Sequence, residues 1–95
     1  MIELEHAKHL HYGQYIYSLH EVNSKDGSAQ RWRVTGQVKR WKRQTDRIRV
    51  PIKTGGMYGT NDHLENDPDQ THRNNLQNFS LIDPTRPPQI NDPPD

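Results

Sequence analysis

The chain has 95 residues, of which 28% are hydrophobic, with a mean hydropathy of −1.23 and a formal charge of +1. That allows one small domain at most, and no stretch approaches the roughly 20 apolar residues of a membrane span. There is no cysteine, so disulfide staples and thiolate chemistry are both excluded.

The opening MIELEHAKHLHYG has no apolar run of signal-peptide length, which points to a cytoplasmic protein. Residues 1–11 read as an N-terminal arm. They hold good helix formers, with Ile2, Ala7 and Leu10 loosely on one side. So short a helix is unstable alone, so the arm is expected to be frayed or a single docked turn.

Residues 12–82 read as a single small β domain. His11–Val22 is aromatic and β-branched, which favours a strand. Tyr15, Tyr17 and Leu19 share one face at period two and are assigned to the core. Tyr12 and Ile16 fall on the other phase. Asp26-Gly27 is the strongest hairpin signal, because glycine supplies the positive φ of tight turns.

Arg31–Val38 alternates cleanly, with Trp32, Val34 and Val38 inward and Arg31, Arg33, Thr35 and Gln37 outward. Gly36 sits on the inner phase and marks a bend or a close backbone approach. Trp41 breaks the parity. Either a β-bulge returns it to the core side, or it points outward. A turn is expected near Thr45-Asp46. Arg47–Lys53 alternates again, with Ile48, Val50 and Ile52 inward and Arg47, Arg49 and Lys53 outward. Pro51 cannot donate to a ladder, so this strand is expected at an edge.

From Thr54 the composition turns to Gly, Asn and Asp. His63–Asn66 reads as the start of a helical turn, and Phe79–Ile82 as a late strand. The candidate core is Tyr15, Tyr17, Leu19, Trp32, Val34, Val38, Trp41, Ile48, Val50, Ile52, Phe79 and Leu81. Residues 83–95 hold five of the seven prolines and read as a disordered, Pro/Asp-rich tail. The expected fold is mainly β: a small antiparallel meander curled into a barrel or half-barrel. In layout it is loosely similar to SH3-type small barrels, a likeness of shape and not of motif.

Charge carries the functional reading. Arg31–Lys53 contains nine bases against one acid, Asp46, a net +8. Residues 1–30 carry −2 and residues 54–95 carry −5. The basic block comprises Arg31, Arg33, Lys39, Arg40, Lys42, Arg43, Arg47, Arg49 and Lys53, with Trp41 inside it. Such a surface attracts polyphosphate, and aromatic side chains beside it would stack bases. Trp41, Tyr12 and Tyr58 are the candidate stackers. The expected function is a small nucleic-acid-binding protein for single-stranded DNA or RNA. The alternative is a non-enzymatic adaptor that binds an acidic protein surface. The bland reading is a solvated face whose charges guard an edge strand.

Other chemistry is thin. His6, His9 and His11 lie close together, but their spacing fits no structural zinc site. Ser18 and His20 share a strand face about 7 Å apart, and no third group orients the histidine. DHLENDPD fails the EF-hand pattern, and KTGGMYG lacks the lysine of a P-loop after its glycines. Neither catalysis nor a cofactor is expected.

Overall fold

Clean alternation becomes strand. The computed structural model describes residues 1–44, 46–55, 59–66 and 74–85. A one-turn helix, α1 (Leu4–Ala7), precedes β1 (Tyr15–Val22), β2 (Ala29–Val34), β3 (Lys39–Arg40), β4 (Ile48–Lys53), β5 (Asn61–Glu65) and β6 (Phe79–Ser80). All six strands join one antiparallel sheet. The protein is therefore mainly β, with more strands than the meander expected from the sequence. Among the described residues no helix is long and apolar enough to cross a membrane.

β4 is the centre of the sheet. It pairs with β2 and β3 along one edge and with β5 along the other. Pro51 therefore does not mark an edge strand. Its carbonyl accepts from the Thr35 N–H at 2.9 Å, and a residue's N–H and C=O point to the same side of a strand. The missing N–H of Pro51 thus faces a bulge. There, four residues, Thr35–Val38, stand opposite only two, Val50 and Pro51. Gly36 makes the bulge possible, since a Cβ at that position would lie 2.8 Å from Pro51 Cγ.

β1 carries a second irregularity. Tyr17 pairs with Arg31, but Val22 pairs with Ala29, so the register shifts between them. Ser18 holds this bulge, its buried hydroxyl oxygen accepting from the N–H groups of His20 (3.2 Å) and Glu21 (2.9 Å). The β1–β2 turn closes through Asn23 and Ser28, with Gly27 at φ +73°.

The inner face buries Ile16, Trp32, Val34, Ile48, Val50, Ile52, Leu64 and Phe79. Trp32 and Phe79 meet edge to face with centroids 6.3 Å apart. Burial of each such large apolar side chain stabilises by about 1.5–3 kcal/mol. Val38 and Leu81 pack partly against this core. The arm is docked: Ile2, Ala7 and Leu10 are all buried, and the Ile2 N–H donates to the Leu76 carbonyl.

β1 has the opposite phase to the one expected. Ile16 and Ser18 point inward, while Tyr15 is 42% and Leu19 39% exposed, with Tyr17 half-buried. An isoleucine has nothing to offer water, whereas a tyrosine ring tolerates a half-wet face. The expected helical turn at His63–Asn66 is instead the end of β5, whose residues pair one for one with β4 from Asn61↔Lys53 to Glu65↔Arg49.

Beyond β5, the chain returns through residues 74–80. Asn74 and Asn75 meet Glu65, a 3₁₀ turn (Leu76–Asn78) follows, and β6 pairs with β1. No ladder joins β5 to β6 among the described residues, so the sheet is open. The expected disordered tail lies outside the described residues from position 86 onward.

Candidate functional site

The outer face is built by register. β1 supplies Tyr15 and Tyr17, β2 supplies Arg31 and Arg33, and β4 supplies Arg49 and Lys53. Cross-strand pairing aligns Tyr17 with Arg31, and Tyr15 with Arg33 and then Lys53. The Arg31 guanidinium carbon lies 4.1 Å from the centroid of the Tyr15 ring. This face is rigid because the side chains stand on paired strands whose opposite side is core.

The basic block separates into three groups. In the first, Arg31, Arg33 and Lys53 stand together without an ion pair to any described residue. Arg49 shares their face but is neutralised, its Nε 3.0 Å from Glu65 Oε1. It also lies four residues along β4 from Lys53, about 13 Å.

The second group is the hairpin end. Trp41 is half-buried and outside the core, and two cations sit over its ring: Arg47 at 4.8 Å and Lys39 at 5.3 Å from the centroid. No bulge returns Trp41 to the core. Its ring gathers cations, and it is a poorer open platform for a base than the sequence suggested. Arg47 precedes β4 and is not one of its outward strand residues. Lys42 and Arg43 are exposed beside it.

Arg40 stands alone as the third. Its Nη2 donates to the Lys8 carbonyl at 2.7 Å, at the C-terminal end of α1. A cation there completes an unsatisfied helix carbonyl. Arg40 thus serves to dock the arm.

An open cleft of about 500 Å³ lies beside the first group, lined by Tyr15, Tyr17, Arg31, Arg33, Lys53 and Gly55. Asp26, in the β1–β2 turn, and Asp83 also line it. These two aspartates repeat one motif. Asp26 Oδ1 accepts from the N–H and hydroxyl of Ser28, and Asp83 Oδ1 accepts from those of Thr85. The Ser28 hydroxyl and then its N–H hold the Asp26 carboxyl below the usual carboxylate range. Thr85 Oγ1 in turn accepts from the Ala29 N–H, pinning this segment to the start of β2.

Sequence reasoning placed Arg31, Arg33 and Lys53 on one face, as observed. It missed Tyr15 and Tyr17, which were assigned to the core. Ile16 on the alternate phase was the available signal. It missed Asp26 and Asp83 as well, since only the fold brings residues 57 positions apart to one cleft. Of the other candidate stackers, Tyr12 is 69% exposed and Tyr58 lies outside the described residues. Among the described residues no three His, Asp or Glu side chains assemble to hold a metal. No protein-family profile, no curated protein and no solved structure matches this chain.

Proposed function

We propose that the protein binds single-stranded DNA or RNA on the outer face of its sheet, chiefly through backbone phosphates. The observation that carries this reading is the pair Arg33 and Lys53, two cations directly opposite each other on adjacent strands. Like charges in that position destabilise a sheet. Here no described acid relieves them, so an anionic ligand would. Arg31 adds a third cation, held over the Tyr15 ring, and the ring of Tyr17 adds apolar surface beside them. Cations interleaved with aromatic rings suit a single strand, whose bases are free to stack.

A half-barrel curl belongs to the same reading, favoured by the return of residues 74–80 from β5 to β1. A cytoplasmic setting suits a chain without cysteine. The test is an anisotropy titration with labelled single- and double-stranded oligonucleotides at low salt. Single strands are expected to bind more tightly than duplex. No binding to either, together with tight and weakly salt-dependent capture of an acidic protein, would establish the adaptor instead.

A further inference from the structure

The cleft beside the cationic row has an electrostatic polarity that phosphate binding alone does not require. Arg31, Arg33 and Lys53 line one part of it, and the carboxylates of Asp26 and Asp83 line another. None of these five side chains is joined to another by an ion pair. Each aspartate uses one oxygen, Oδ1, to close its own turn. The cleft holds about 500 Å³, within the range of small-ligand pockets, about 300–1,000 Å³. Tyr17 and the Tyr15 ring under Arg31 supply its aromatic lining.

A ligand that satisfies every part of this cleft has an anionic end, a flat ring and hydrogen-bond donors on the ring's far edge. We propose that the cleft takes one nucleotide of the bound strand and favours a base with an exocyclic amino group, cytosine, adenine or guanine, over thymine or uracil. The phosphate lies at Arg33 and Lys53, the ring lies along the tyrosines, and the amino group donates to Asp26 or Asp83. Cytosine N4, adenine N6 and guanine N2 are amino donors that a carboxylate accepts, whereas thymine and uracil carry only carbonyl oxygens outside the ring and offer a carboxylate only the single N3–H. This inference rests on the nucleic-acid reading and adds base preference to it.

The experiment compares short oligodeoxycytidylate, oligodeoxyadenylate and oligothymidylate on the full chain at neutral pH. The expected result is that the first two bind about tenfold more tightly than the third, the discrimination of one good base contact. Asp26→Asn/Asp83→Asn is the test variant. Asparagine keeps the oxygen that closes each turn, so folding is preserved, which circular dichroism verifies. An amide both donates and accepts, so the preference should fall toward unity, even if overall affinity rises with the loss of negative charge. Arg33→Ala/Lys53→Ala should weaken all three oligonucleotides alike. Equal binding of the three to the parent would overturn the base preference and leave phosphate binding standing. A preference unchanged in the double asparagine variant would also overturn it. If no oligonucleotide binds, the nucleic-acid reading itself fails, and this inference with it.

Discussion

Arg33 and Lys53 stand directly opposite each other in the β2–β4 ladder, two positive charges on one cross-strand pair. Stability and function pull against each other at this point. Lys53→Glu would turn repulsion into an opposite-charge pair and should raise stability by about 0.2–1 kcal/mol. The same change should weaken oligonucleotide binding, because a phosphate site becomes an acid. Denaturant melts and titrations on one preparation check both. A variant that binds like the parent would remove Lys53 from the site.

Salt dependence should count the contacts. Arg31, Arg33 and Lys53 are the cations of the β2–β4 outer face without an ion pair among the described residues. If each neutralises one phosphate, the slope of log K against log salt should be about −2, at about −0.7 per contact on a single strand. Arg33→Ala should flatten it by about 0.7. A parent slope near zero would rule out phosphate binding by this face.

Trp41 lies outside the core and holds Lys39 and Arg47 over its ring. Trp41→Ala should therefore cost about 1–2 kcal/mol for two partly exposed cation–π contacts. A buried aromatic would cost about 3–5 kcal/mol. Thermal melts distinguish the two ranges.

Arg40 donates to the Lys8 carbonyl and is spent on the arm. Arg40→Ala should destabilise by about 1 kcal/mol and speed hydrogen exchange at Ala7 and Lys8. Oligonucleotide affinity should change far less than in Arg33→Ala. An equal loss of affinity in both would restore Arg40 to the binding surface.

Gly36 admits the Pro51 ring into the bulge. Gly36→Ala should destabilise by about 1–3 kcal/mol through overpacking. Adding Pro51→Ala should recover much of that loss, and a double-mutant cycle measures the coupling. Additive effects would show that the two residues do not meet.

Two strands were legible from sequence because their burial is one-sided. In Arg31–Val34 and Ile48–Lys53 every second residue is apolar and the rest are charged or proline, so phase and face follow together. The cationic face was legible for the same reason. β1 was not, since Tyr15, Ile16 and Tyr17 are all apolar enough for either side. Its phase was set by pairing, which lays Tyr15 beside Arg33 and Arg31 and sends Ile16 to the core. The strand NDHLE has no local reason to be extended, and it forms because β4 offers it a free edge. Ile2, Ala7 and Leu10 were too few to predict a stable helix, and their burial depends on Leu76, Arg40 and the core they meet. Local alternation thus determined which segments could be strands and where the charge would lie. Long-range pairing decided which face of β1 is wet, which strand is central, and which acids and cations share one cleft, because those depend on partners that no local pattern encodes.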